Sequence, residues 1–290
     1  MIESPNVRMA LASRPENVVL VRDVLAGLGD GLDLGGTVED IKAAVSEAAN
    51  NVVIHAYGGG EGPMEVEIAI VGRDLDVVVR DHGVGIGPRA VDNSHPGRGI
   101  GLAVIEALAA RCELRAPSSG TGIEVAMRFD VPAQPELPGL SAPYSGAAGV
   151  VLEDGALEIA IGPASLSAPV FDRVVTGLAA RAGFSIDRLS DVQLVVDALT
   201  ARIVPALAAD HVRLGAVARG RRIELTVSPL RAGGSLTLVA DTAVAELPPV
   251  IERLADEVAM RSDDAGEVLA LVLRDRRPER RARSAPAGAS

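Results

Sequence analysis

The sequence has 290 residues, 48% of them hydrophobic, a single cysteine and a net charge of −11. That length accommodates two ordinary domains with sizeable cores, and the lone Cys112 excludes an intramolecular disulfide and suits a reducing compartment. The acidic balance argues against a general nucleic-acid binder, no apolar run approaches the roughly 20 residues that span a bilayer, and the start lacks the basic-then-apolar pattern of a secretory signal, so a cytoplasmic chain with no direct nucleic-acid or membrane contact is expected.

Aromatic residues are only 2% and Trp is absent, so the core must be built from Ala, Val, Leu and Ile. Residues 7–12, VRMALA, read as a strand. Residues 16–28 read as a helix, with Val18, Val21, Val24, Leu25 and Leu28 at helical spacing. A second helix is expected over 38–56, ended by YGGGEG. The run MEVEIAIVGRDLDVVVRDHG then alternates like a hairpin, turning at Gly72-Arg73-Asp74. A Gly- and Pro-rich loop spans 83–99, a helix follows over 100–111, and GTGIEVAMRFDV reads as a closing strand. Residues 132–150, rich in Pro, Ala and Gly, read as a linker, and 276–290 as a disordered tail.

Beyond the linker the pattern repeats. VEDIKAAVSEAANNVVIHA is similar to LSDVQLVVDALTARIVPAL, and a constant offset of 151 residues places Asp40 on Asp191, Arg22 on Arg173 and VRMALA near EIAIGP. Downstream, 214–228 match the hairpin, 247–261 the last helix and 266–275 the last strand. The expectation is a duplicated α+β unit, residues 1–131 and 151–275, against the plainer reading of two small domains that share a periodicity.

Three segments of the first half bear on chemistry. Glu47 and Asn51 stand one helical turn apart and share a face, while Ile41, Val45, Ala49 and Val52 form a separate apolar stripe. A carboxylate beside a carboxamide oxygen suits Mg²⁺ directly or through water, and the Glu suits a general base; a solvated polar face is the competing reading. Asp81-His82-Gly83-Val84-Gly85 closes a strand, where a carboxylate can accept from an exocyclic amine and glycines permit close approach of a flat ligand; a simple Asp-Gly turn competes. Gly97-Arg98-Gly99-Ile100-Gly101 opens a helix and offers backbone N–H groups to phosphate. Gly120-Thr121-Gly122 precedes the last strand.

The order of these segments resembles the GHKL ATPase superfamily, whose nucleotide site is the Bergerat fold, a two-layer α/β sandwich. EAANN…HAY looks like its N box, DHGVGI its G1 box and GRGIGL its G2 box. Within the superfamily the N-box helix looks most like that of the bacterial anti-sigma-factor serine/threonine kinases. The likeness covers residues 7–130 and is weakest over 86–98. It implies ATP and Mg²⁺ as cofactors, with Glu47 as catalytic base and Asn51 as the Mg²⁺ ligand. It implies Asp81 as the reader of the adenine amine, with Gly83 and Gly85 beside the base. It implies Gly97, Gly99 and Gly101 as the phosphate loop, Arg98 near the γ-phosphate or lining the lid, and Thr121 as a nearby hydroxyl. His55 falls where the family often has His, in a structural or a chemical role. The implied partners are a sigma factor and a STAS-type anti-anti-sigma protein, with a homodimer or an intramolecular pseudodimer as the assembly.

Under the 151 offset Glu47 falls on Ala198 and Asn51 on Arg202, and Asp81 falls near Pro229 through the hairpin. The second half is therefore expected to be a degenerate ATPase-like domain without a nucleotide site. An ATP-dependent protein kinase is the leading expectation; a non-catalytic ATP-binding switch that grips a regulator is the alternative, and Glu47 favours the first because a pure switch needs no base.

Overall fold

The computed structural model describes residues 2, 4–83, 100–116, 121–140, 156–242 and 248–276. Gly85, Gly97, Arg98 and Gly99, the lid, the later linker 141–150 and the tail 277–290 lie outside them.

The first half opens with strand β1 (Val7–Ala12) and helix α1 (Pro15–Gly31), then α2 (Val38–Asn51). Pro15 starts α1 where its missing N–H costs nothing. The apolar stripe of α2 is buried as expected, Ile41, Val45, Ala49 and Val52 each at 4% exposure or less. The helix does not continue regularly to Ala56: Val52–Ala56 is a π-helical turn. Consecutive β-branched residues, Val52-Val53-Ile54, crowd the preceding turn and disfavour tight α winding, and π turns of this kind concentrate at functional sites. The hairpin follows as β2 (Pro63–Val71) and β3 (Asp74–Asp81), with Val71 opposite Asp74 and Gly72 at φ +62. Helix α3 (Ile100–Leu108) stops earlier than expected, and Arg111–Arg115 forms a strand, β4, paired with β5 (Glu124–Asp130). Its alternating Arg and Glu mark an exposed edge rather than a helix end.

The second half repeats the order: β6 (Ala156–Ile161), α4 (Ser167–Arg181), α5 (Ile186–Ala206), β7 (Val212–Arg219) and β8 (Arg222–Leu230). Two short helices follow, α6 (Gly234–Ala240) and α7 (Val250–Leu254), then β9 (Glu257–Asp263) and β10 (Gly266–Arg274). Here the helix expected over 247–261 is corrected: among its described residues only Val250–Leu254 is helical, and Glu257 to Arg261 pair with β10, Val258 opposite Leu271. Strand pairing satisfies that backbone and overrides the local helical spacing.

Among the described residues the strands form one antiparallel sheet, β4-β5-β3-β2-β1-β6-β7-β8-β10-β9, so the order in the second half mirrors the first about the β1–β6 seam. At that seam Val7, Met9 and Leu11 lie opposite Ile161, Ile159 and Leu157. The helices cover one face and share a single apolar core with it. Above the seam α1 and α4 touch closely: a Cβ on Gly27 would lie 2.6 Å from the Cα of Val170. Arg173 pairs with Asp30 at 2.5 Å beside them. Burial pushes the nearby Asp23 carboxyl up, partly offset by Arg173, Arg181, Arg22 and Lys42. The first part of the linker is docked: Leu140 is 5% exposed and donates its N–H to Pro5 O at 2.8 Å, and Gln134 donates its N–H to Gly72 O at 2.8 Å.

The other sheet face of the first half carries charge instead of helices. Arg8 opposite Glu67, Glu65 opposite Arg80 and Arg80 opposite Glu124 share that face by register. Arg80 bonds Glu65 at 2.9 Å and Glu124 at 2.8 Å, and Arg115 bonds Glu124 at 2.5 Å.

Candidate functional site

Two clusters form at one end of the first half. The first joins α2 to the start of α3. Glu47 and Asn51 point away from the apolar stripe, and Gly101, buried in the first turn of α3, packs on both. A Cβ on Gly101 would stand 3.0 Å from Glu47 Oε2 and 3.5 Å from Asn51 Oδ1. A helix N-terminus, with its uncommitted backbone N–H groups, is thus brought against a carboxylate and a carboxamide. Both side chains offer hard oxygen donors of the kind that suit Mg²⁺.

The second cluster is built on the end of β3. Asp81 is 3% exposed. Its N–H donates to Ile123 O at 3.0 Å, and its Oδ1 accepts the Gly83 N–H at 2.8 Å. Burial pushes its carboxyl above the usual carboxylate range, against backbone hydrogen bonds from Gly83 and Ile123 and the charge of His82. Two glycines make the geometry possible. A Cβ on Gly83 would fall 2.0 Å from the Ala56 carbonyl oxygen at the end of the π turn. Gly122, at φ +109, would place its Cβ 2.0 Å from the Asp81 carbonyl oxygen. The Thr121 hydroxyl donates to His82 O at 3.4 Å.

The structure brings together Glu47, Asn51 and Gly101, and separately Asp81, Gly83 and Thr121. His55 is exposed, one turn beyond Asn51. Gly122 and Tyr57 were not singled out by the sequence reading. The Tyr57 hydroxyl accepts the His82 N–H at 2.9 Å and donates to Pro63 O at 2.6 Å. His82 Nε2 lies 2.8 Å from Glu65 Oε1, tying this end of the sheet to Arg80. The signal for Gly122 was its place between Thr121 and the strand; Tyr57 had only its place at the end of HAY.

Residues 11–129 match the family model described as a histidine kinase-like ATPase domain. This segment is a histidine kinase-like ATPase domain. It contains both clusters and runs from the last part of β1 to the last part of β5. Over 65 residues the chain is also 37% identical to the serine-protein kinase RsbW of Bacillus pumilus (strain SAFR-032), a stretch that is 22% of this chain and 40% of that protein. The chain therefore spans two fifths of the length of the curated relative it matches. Among the described residues no helix is long and apolar enough to cross a membrane.

The corresponding end of the second half carries buried apolar side chains among the described residues. Gly234 approaches the Ala206 carbonyl as Gly83 approaches that of Ala56, with a Cβ distance of 2.6 Å. Gly266, at φ +145, approaches the Leu230 carbonyl as Gly122 approaches that of Asp81, again at 2.6 Å. Leu230, fully buried, thus stands where the ATPase domain has Asp81, one residue beyond the Pro229 expected from the hairpin match. Helix α6 packs on α5 and buries Leu238 and Val239, and the Glu267 carboxylate accepts the N–H groups of Gly233 and Ser235 at its start.

Proposed function

We propose that the chain is an ATP-dependent serine/threonine protein kinase that acts as an anti-sigma factor and phosphorylates a STAS-type anti-anti-sigma partner. The observation that carries this reading is the meeting of Glu47, Asn51 and the Gly101 end of α3, with Asp81 buried at the neighbouring strand end. Asp81 accepts the adenine amine, with Gly83 allowing the base to lie close. Gly101, together with Gly97 and Gly99, presents backbone N–H groups to the phosphates, and Gly85, Arg98 and Thr121 complete the surround. Asn51 would hold Mg²⁺ through its carboxamide oxygen, and the ion would supply neutralisation of phosphate charge. Glu47 accepts the proton of the partner's serine or threonine hydroxyl as it attacks the γ-phosphate. Phosphoryl transfer asks for alignment and charge neutralisation more than covalent help, and a base one turn from a metal ligand supplies that alignment.

The identity with a serine-protein kinase over 65 residues supports a kinase rather than a plain ATPase. A non-catalytic ATP switch is the alternative, and Glu47, poised on the Asn51 face, speaks for chemistry. We read residues 151–275 as a degenerate copy that binds no nucleotide: Ala198, Arg202 and Leu230 replace the base, the metal ligand and the adenine reader. The pairing of β6 with β1 supports reading this copy as an intramolecular pseudo-partner for the ATPase domain.

Titration calorimetry with ATP tests the nucleotide half of the reading. Binding with Mg²⁺ present is expected to weaken about tenfold or more in Asn51→Ala, and to persist in Glu47→Gln. Mg²⁺-independent binding unaffected by Asn51→Ala contradicts the assignment.

A further inference from the structure

Resting on the nucleotide reading above, we propose that Tyr57 is the positioning residue that sets adenine recognition, by locking the Asp81–His82 peptide to the end of the metal-binding helix. Tyr57 is the residue at which the π turn stops. Its hydroxyl makes two hydrogen bonds in opposite senses, accepting from His82 N–H at 2.9 Å and donating to Pro63 O at 2.6 Å. One side chain thereby spans three elements: the end of the α2 segment, the first residue of β2 and the residue after β3. The N–H it holds belongs to the peptide group whose carbonyl is that of Asp81. Its carbonyl is held by the tight seat of Gly122, and the peptide before it by Asp81 N–H on Ile123 O at 3.0 Å. The Asp81 backbone is therefore constrained from β5 on one side and from Tyr57 on the other.

The ring is seated as firmly as the hydroxyl. A Cβ on Gly62 would fall 2.2 Å from Tyr57 Cε1, so the chain reserves a glycine there for the ring face. Burial, and after it the charges of Asp81 and Glu65, raise the phenol's pKa against the His82 N–H bond that lowers it. The second half shows what accompanies loss of the carboxylate. There the residue after the Ala206 carbonyl is Leu207, and it bridges directly to Leu230. Where leucine stands in place of Asp81, the hydroxyl is missing as well, as expected if phenol and carboxylate work as one unit.

A residue that only supports the fold affects all nucleotides alike; one that aims Asp81 affects those that offer an exocyclic amine. The full-length chain and its Tyr57→Phe variant are compared for binding of ATP and ITP, whose base lacks that amine. Phe keeps the ring on Gly62. ATP affinity is expected to fall about three- to tenfold while ITP affinity stays within about twofold, so the ATP preference shrinks. Amide exchange at His82 is expected to accelerate in the same variant, a readout independent of nucleotide. Equal losses for ATP and ITP, or an unchanged preference with His82 still protected, overturn the role of Tyr57. A wild-type chain with no preference for ATP overturns the adenine reading of Asp81 itself, and the inference with it.

Discussion

Asp81 combines two demands that oppose each other. Its burial raises the carboxyl pKa, so the charged form is costly in the folded chain. For a raised pKa the sign is fixed: the stability it contributes is complete below the ordinary carboxylate value and is lost as pH rises through the folded value. Asp81→Asn is therefore expected to raise the unfolding midpoint at neutral pH, with no gain under acid conditions, while lowering ATP affinity about ten- to hundredfold. Denaturant melts at two pH values and calorimetry check the two halves of this statement. A gain in stability with loss of binding is the mark of a site kept at the expense of the fold. At this scale the shared face of Glu47 and Asn51 and the Asp81–Gly83 strand end were legible in the sequence as placements, because helical spacing and an Asp-x-Gly strand end are local patterns. Tyr57 and Gly122 were not. Their partners lie 25 residues away for the Tyr57–His82 bond, and across the sheet for Gly122, and nothing local announces either contact.

At the scale of elements, the helix-free face behind the site is held by an ion-pair ladder. Burial would push the Glu124 carboxyl up, but hydrogen bonds and charge from Arg80 and Arg115 outweigh it and hold it below the usual range. Stability from such a group is complete above the ordinary carboxylate pKa and is lost as pH falls through the lowered value. Arg80 serves Glu65 and Glu124 and lies 3.7 Å from Glu67, all largely buried. Arg80→Met is expected to destabilise the chain by about 3 kcal/mol at neutral pH, and by much less in acid, where the carboxylates it abandons are protonated; urea unfolding across pH measures this. The strands and helices with clean periodicity were legible: β1, β2, β3, α1, α2 and β10. The misreadings fell at β4 and β9, the two sheet edges. An exposed edge strand carries no buried alternation, so its charged residues resemble a helix surface until its partner strand is known.

For the whole molecule, the β1–β6 ladder and the α1–α4 contact make one body of two halves. Gly27 is central to it, because its missing side chain lets the helix backbones meet. Gly27→Val is expected to cost roughly 1–3 kcal/mol and to loosen the seam; hydrogen exchange at Met9 and Ile159 reports the loosening directly. With the β1 edge covered by β6, the intact chain is expected to have the mass of a single copy in size-exclusion chromatography with light scattering. A dimer joined through its ATPase domains, with the second halves free, contradicts the pseudo-partner reading. The repeated order of elements was visible as a gapless offset across the helices, and the seat of α6 was not, since a run such as RAGGSLTLVADTAVAEL gives no hint that Leu238 and Val239 are buried.

The most direct measurement is transfer of labelled γ-phosphate. The full chain is incubated with Mg-ATP and a co-encoded STAS protein, and label on the serine or threonine of that protein is followed over time. Transfer by the wild-type chain that disappears in Glu47→Ala, with ATP binding intact, is the expected result. Nucleotide binding with no transfer to any such partner, or undiminished transfer by Glu47→Ala, contradicts a kinase whose base is Glu47.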